Sequence, residues 1–255
     1  MKITFLGTGT SQGVPVIACD CPICSSKDFR DKRLRSSILI EWLDQKVVID
    51  TGPDFRYQML RAKVTHLDAI LFTHEHKDHT AGLDDIRAFN HKLAREMDVY
   101  AGLRVQKALK LEFSYIFGEE KYPGVPSIHF HEIKNEPFKI HNQVWVPILV
   151  MHHKLPIFGF RVGEFTYITD AKSISEEERK KVRGCKVLVL NALQQGAHIS
   201  HLTLEEAISL SRDLEAECTY FTHISHKLGK HKEVERLLPK GFHLAYDQLE
   251  VSMDI

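Results

Sequence analysis

Residues 73 to 79 read Thr-His-Glu-His-Lys-Asp-His, directly after the apolar run Ala69-Ile70-Leu71-Phe72. Consecutive apolar residues bounded by polar ones read as a short buried strand, so the cluster stands where a strand leaves a core. Imidazoles and carboxylates at such a place need water or partners matched to their charge. In an extended chain residues two apart share a side, which aims His74 and His76 together. Asp78 and His79 follow, and Gly82 is expected to let the backbone turn tightly into a helix. Such donors suit zinc, manganese or iron, and two ligand pairs this close can hold two metal ions a few Å apart. A solvated polar loop is the bland alternative; four donors at this spacing weigh against it.

The same form recurs downstream. Val146 to Met151 runs into His152 and His153, Phe165 to Thr169 into Asp170, and Tyr220-Phe221-Thr222 into His223. An apolar strand ending in one ligand is how a rigid sheet presents a site on its edge. Taken singly each residue is more simply structural. Together they complete a shell around the first cluster, in which the two oxygens of Asp170 are suited to bridge two metals.

Around this pattern the chain is ordinary. Its 255 residues, 43% hydrophobic, can fill a sizeable core, and 34 basic against 34 acidic residues leave no net field for a polyanion or an acidic membrane surface. No run approaches the ~18 apolar residues of a spanning helix, and the start of the chain is too short in apolar length for a signal segment. The expectation is one soluble, cytoplasmic domain over residues 1–255. Strands are predicted at Ile3 to Leu6, Ser37 to Trp42, Lys46 to Asp50, Ala69 to Phe72, Gln143 to Met151, Phe158 to Val162, Phe165 to Thr169, Lys186 to Leu190 and Thr219 to Thr222, with a last pair around Gly241 to Met253. Helices are predicted at Leu83 to Glu96, Arg104 to Phe113, Ser175 to Val182, Thr203 to Leu214 and Lys230 to Leu237, with Thr203 and Glu206 forming a capping box. Continuous β-branched strands need cover on both faces. With hairpins early and late and helices between, two packed sheets flanked by helices follow, an α/β fold.

The order His-x-His-x-Asp-His, then His, Asp and His on successive strands, resembles the metallo-β-lactamase superfamily of binuclear metallohydrolases. The resemblance implies a four-layer αββα sandwich. It places His74, His76 and a later histidine on one metal ion, Asp78, His79 and His223 on the other, and Asp170 between them. It favours His152 over His153 as that later ligand, with the choice left open. Asp50 resembles the aspartate that stands behind the metal loop in this family.

A finer resemblance rests on Gly7-Thr8-Gly9-Thr10-Ser11-Gln12-Gly13, on Cys19-Asp20-Cys21-Pro22-Ile23-Cys24 and on Thr222-His223-Ile224-Ser225-His226. These segments are similar to the PhnP-like phosphodiesterases that open phosphoribosyl 1,2-cyclic phosphate. That likeness implies a structural zinc on Cys19, Cys21, Cys24 and His226, and a closed thiolate set has no open position for water. Cys185 and Cys218 are expected to be inert core thiols. The implied chemistry is attack by metal-activated hydroxide on a small, cyclic phosphodiester, with two Mn²⁺ or Zn²⁺ ions in the site. Catalytic roles fall to Asp78 and to His201, the latter as phosphate contact or general acid, beside a helix start favourable to anions. His198 is a weaker candidate, and His129, His131 and His141 are expected on the surface without partners. Nucleic acid is not the expected partner, and a homodimer is left open. The competing functions are a tRNA 3′-processing nuclease, a thioester or lactam hydrolase, a diiron electron carrier, and a silent metal-binding scaffold.

Overall fold

In the computed structural model, which describes residues 1–118 and 122–253, the strands are β1 (Lys2–Gly7), β2 (Ser37–Trp42), β3 (Gln45–Ile49), β4 (Ala69–Leu71), β5 (Met97–Ala101), β6 (Ile128–Glu132), β7 (Phe138–Ile140) and β8 (Gln143–His152). They continue with β9 (Leu155–Val162), β10 (Phe165–Ile168), β11 (Ser173–Ile174), β12 (Val187–Asn191), β13 (Cys218–Thr222), β14 (Phe242–Leu244) and β15 (Glu250–Ser252). The helices are α1 (Phe55–Arg61), α2 (Lys77–Thr80), α3 (Arg87–Leu93), α4 (Leu103–Glu112), α5 (Ser114–Phe117), α6 (Glu176–Val182), α7 (Leu204–Asp213) and α8 (His231–Glu235).

The first sheet runs β15-β1-β2-β3-β4-β5-β6, antiparallel up to β3 and parallel from there. In the second the order is β11-β8-β9-β10-β12-β13-β14, with β7 on β8 and with parallel pairs from β10 onward. Period-two side chains supply three apolar layers. Ile38, Ile40, Val47 and Ile49 of the first sheet meet Trp145, Phe160, Tyr167 and Val189 of the second. The outer face of the first sheet, Leu39, Val48, Ile70 and Val99, is covered by Phe55 and Met59 of α1, Phe89 of α3 and Leu109 of α4. Leu188, Leu190 and Phe221 on the outside of the second lie under Val182 of α6 and Ala207 and Leu210 of α7. The result is the four-layer αββα sandwich.

Several predicted boundaries shift, for local reasons. The helix predicted from Leu83 to Glu96 is a short 3-10 turn, Leu83–Ile86, followed by α3, and it ends where Ala94 takes φ 51°. β9 begins at Leu155 rather than Phe158, because Pro156 sits on the hairpin opposite Met151 where its missing N–H is tolerated. Gly82 has φ −93° and needs no special torsion. Its value is space: a Cβ there would lie 2.2 Å from the carbonyl oxygen of Gly52, and one on Gly52 would lie 2.1 Å from that of Asp78. The two glycines let the loop after β3 pack against the turn carrying the histidines, through Thr51 N to His79 O at 2.8 Å and Gly82 N to Thr51 O at 2.8 Å.

Candidate active site

The strands that carry donors end at one rim. Parallel pairing of β3 with β4 brings Asp50 beside the Thr73–His79 turn, and parallel pairing of β10, β12 and β13 brings Asp170 and His223 to the same edge of the other sheet. Asp50, Asp170 and His223 have φ of 65°, 58° and 56°. Residues with a Cβ rarely adopt this left-handed region, and three of them at the ends of site-bearing strands mark where the chain is bent to aim a side chain.

Behind the cluster sits Asp50, fully buried. Its Oδ1 accepts from Thr73 N at 2.9 Å, and its Oδ2 accepts from the Thr73 hydroxyl at 2.8 Å and from His79 Nδ1 at 2.7 Å. Since the one hydroxyl proton of Thr73 goes to Asp50, Thr73 Oγ1 can only accept from His74 Nδ1, 3.0 Å away. In their neutral forms both imidazoles thereby carry the proton on Nδ1 and present Nε2 forward, the form in which they bind a metal ion.

In front, His74 Nε2 lies 3.0 Å from His76 Nδ1. His79 Nε2 lies 3.1 Å from Asp78 Oδ2 and 3.3 Å from Asp170 Oδ2, while Asp170 Oδ1 lies 3.3 Å from His223 Nε2. His79 Nε2 is buried yet makes no hydrogen bond. A lone pair pressed against two carboxylates is repulsive unless positive charge, a proton or a metal cation, stands between them. The titration behaviour carries the same demand. Burial pulls His79 down, but Asp78, Asp170 and Asp50 outweigh it and push its pKa well above the ordinary value. Burial pushes Asp170 up, but His223 and His79 outweigh it and hold the carboxyl well below its ordinary range. His74 stays neutral, its pKa lowered first by burial and then by His79. The donor set fits divalent cations: Asp78, His79, Asp170 and His223 converge as one group, and Asp170 recurs in a second with His152 and His201.

His152 and His153 separate by one residue of hairpin. His152 ends β8 opposite Leu155, is buried, and directs Nδ1 to the carbonyls of Asp170 at 2.8 Å and Ser200 at 3.0 Å, leaving Nε2 for the site. His153 is an exposed turn residue with φ 56°. His201 is buried, 3.8 Å from Asp170 Oδ1 through Nδ1, its ring 4.7 Å from that of His152 and 5.0 Å from that of His223. Burial, then His223, lowers its pKa to about 3, so it enters the site neutral, with one N–H to give. His198 stands behind it, ring centroids 5.0 Å apart. At the start of α7 two of the backbone donors are already taken: Thr203 Oγ1 caps Glu206 N at 3.2 Å, and the Glu206 carboxylate takes Thr203 N at 2.9 Å.

Beside the site, the sulfurs of Cys19, Cys21 and Cys24 lie 3.4, 3.5 and 3.4 Å from His226 Nδ1. One imidazole nitrogen has a single proton or a single lone pair, so three such contacts cannot all be hydrogen bonds. Zinc bonds of ~2.3 Å to sulfur and ~2.0 Å to nitrogen at the tetrahedral angle put sulfur and nitrogen about 3.5 Å apart. The donors therefore fit a tetrahedral ion. The backbone N–H of Cys24 and then His226 draw the Cys21 thiol down to about 6, toward thiolate, whereas burial pushes Cys24 up to about 11. Cys185 is buried, and Cys218 only partly so.

Thr10, unassigned on sequence grounds, lies 3.2 Å from His223 Nε2 through Oγ1. Its position in a glycine-rich loop far away in the chain gave no spacing signal. His141 is exposed, as expected. His129 and His131 do have a partner: both face Asp98 of the neighbouring strand.

Comparison with known proteins agrees with this geometry. The beta-lactamase superfamily domain matches residues 45–224. A solved structure described as a new diphosphatase from the PhnP family is 38% identical and superimposes with a TM-score of 0.93, covering 100% of this chain and 98% of that one. This chain belongs to the PhnP family. It carries the domain of the beta-lactamase superfamily, with donor clusters that could hold metal ions. An octanoyltransferase from Porphyromonas gingivalis is 39% identical to this PhnP-family chain across 100% of its length, and a ribonuclease Z from Prochlorococcus marinus is 25% identical over 78% of it. The chain spans only 52% and 60% of those two curated relatives. Among the described residues no helix is long and apolar enough to cross a membrane.

Proposed function

We propose that the chain is a binuclear metal-dependent phosphodiesterase that hydrolyses a small, cyclic phosphodiester. The observation that carries this reading is Asp170, a buried carboxylate common to two converging donor groups, one with Asp78, His79 and His223 and one with His152 and His201. His74, His76, His152 and Asp170 would hold one divalent cation, and Asp78, His79, His223 and Asp170 the other. Bound there, Mn²⁺ or Zn²⁺ would stabilise charge on the phosphoryl oxygens and lower the pKa of water from 15.7 toward ~7.

The chain's own residues do the rest. Asp50 and Thr73 fix the tautomers of His79 and His74. Thr10 and His223 close one wall, and a cavity of about 230 Å³ lined by Thr10, Ser11, Gln194, His198, His201 and Lys227 has room for a small organic group. His201 is neutral before substrate binds; the incoming anion raises its proton affinity, so that it takes up a proton from solvent on substrate binding and, as the imidazolium, passes that proton to the leaving oxygen as the P–O bond breaks, returning to the neutral ring. Cys19, Cys21, Cys24 and His226 would hold a structural zinc that ties the loop after β1 to the residues following β13, a use of thiolates that fits a reducing cytoplasm.

A second reading, an acyl thioester hydrolase, is tested beside it, since the chain matches 52% of the octanoyltransferase relative. One experiment separates them: metal-stripped protein reloaded with Mn²⁺ or Zn²⁺ is given bis-p-nitrophenyl phosphate, ribose cyclic phosphates, cyclic nucleotides, tRNA precursor, an octanoyl thioester and a lactam. Turnover confined to small diesters is the expected result. Thioester or tRNA turnover well above the diester rate would overturn the reading.

A further inference from the structure

On the first sheet, away from the active site, β6 and β5 place three donors together. His129 and His131 alternate along β6 and so project from one face, and parallel register sets Asp98 of β5 directly opposite His129. His129 Nδ1 lies 3.2 Å and His131 Nε2 2.7 Å from the same oxygen, Asp98 Oδ1. The two imidazole rings are 4.4 Å apart. The His131 ring is clamped: it stacks on Tyr100 at 4.3 Å and 11°, and Tyr100 stacks in turn on Phe138 of β7 at 5.4 Å and 20°. Two donors of the triad therefore come from an edge strand and one from its neighbour, on a sheet face braced by aromatic rings rather than on a loose loop.

We infer that Asp98, His129 and His131 form a further metal site, specific for a first-row divalent cation such as Zn²⁺, Ni²⁺ or Cu²⁺. Two imidazoles and one carboxylate are donors of the class these ions prefer, whereas Mg²⁺ and Ca²⁺ prefer all-oxygen shells. Bonds of ~2.0 to 2.1 Å at tetrahedral angles set donor atoms about 3.3 Å apart. The 3.2 Å pair already has that spacing, and the 2.7 Å pair needs to open by about half an ångström, within the reach of side-chain torsions at a half-exposed site. Three protein donors leave a fourth corner to solvent, on the side where His129 is 60% exposed. The ion would tie β6, which is the last strand of its sheet, to β5. It stands apart from the reaction: Asp98 pairs with Ala69, five residues before His74, a separation on the order of 15 Å along an extended strand. The role is to brace the edge strand, with no part in turnover.

The test uses the full chain with its active-site and cysteine sites already filled. Zn²⁺ is titrated calorimetrically into wild type, His129→Asn and Asp98→Asn, and Cu²⁺ binding is followed by electron paramagnetic resonance. Wild type should take up one equivalent more than either variant and show nitrogen splitting from two imidazoles. The extra equivalent should raise the melting temperature of wild type alone, and diester turnover should be equal in all three. Equal stoichiometry in wild type and variants, or an extra ion that persists in both variants, overturns the site. Because turnover is read separately, a protein inactive on diesters still decides the question.

Discussion

Replacing Asp50 with asparagine changes one oxygen to an NH2 and little else in shape, yet the site cannot absorb it. Three donors converge on the carboxylate: Thr73 N on Oδ1, and the Thr73 hydroxyl with His79 Nδ1 on Oδ2. An amide has one acceptor oxygen. If that oxygen faces Thr73 N, the NH2 meets the Thr73 hydroxyl and His79 Nδ1, and relief comes only by moving the His79 proton to Nε2, where it blocks the lone pair that faces Asp78 and Asp170. If the amide flips, the NH2 opposes a backbone N–H that cannot move. Loss of such an outer-shell partner typically costs ~10- to 100-fold in metal affinity or activity, or about 1.4 to 2.7 kcal/mol. Stability should change less, because burial already pushes the Asp50 pKa up and removing a buried charge offsets the lost hydrogen bonds. The assay is metal retention against a chelator series together with kcat/KM on a p-nitrophenyl diester. Asp50→Asn protein that retains metal and activity within two-fold of wild type would refute the tautomer argument.

Three further outcomes are expected. Cys21→Ser should lose one zinc per chain by elemental analysis and melt at a lower temperature while keeping the active-site ions; an unchanged zinc count would rule out the cysteine site. His201→Ala should slow diesters with poor leaving groups ~10²- to 10⁴-fold, and p-nitrophenyl diesters much less, since nitrophenolate departs without a proton; equal losses would make His201 a phosphate contact only. His231 is 2% exposed, contacts Arg33 at 3.2 Å, and has its pKa lowered from 6.5 to about 4, first by burial and then by Arg33 and Arg30. Because the unfolded chain takes up the proton first, this group's contribution is complete above about pH 6.5 and is lost as pH falls toward about 4, by at most about 3 kcal/mol. The acid-side drop in unfolding free energy should therefore shrink in His231→Gln relative to wild type, and identical pH profiles would contradict the assignment.

What could be read in the sequence followed from where the signal is local. β2, β3, β4 and β10 are short apolar runs, and their predicted positions lie within a residue or two of the observed ones, as does α7 with its capping box. β5 and β6 are absent from the predicted strands although Met-Asp-Val-Tyr-Ala and Ile-His-Phe-His-Glu alternate polar with apolar, because neither offers the continuous apolar run that marks the central strands. α1 buries only Phe55, Gln58 and Met59 and is too short to show a helical period. At the site, each strand-end donor was legible because one side chain follows one apolar run. Thr10 and Asp98 were not, since both reach their partners through tertiary pairing across distant segments.

The most direct test of the account is diester turnover by metal-stripped protein as Mn²⁺ is added in known equivalents, in wild type and in Asp170→Ala with the cysteine site left filled with zinc. The place of Asp170 in two donor groups, one with Asp78, His79 and His223 and one with His152 and His201, predicts activity that needs two equivalents per chain and is abolished in the folded variant. Full activity at a single equivalent, or an Asp170→Ala rate within a few-fold of wild type, would contradict a binuclear phosphodiesterase.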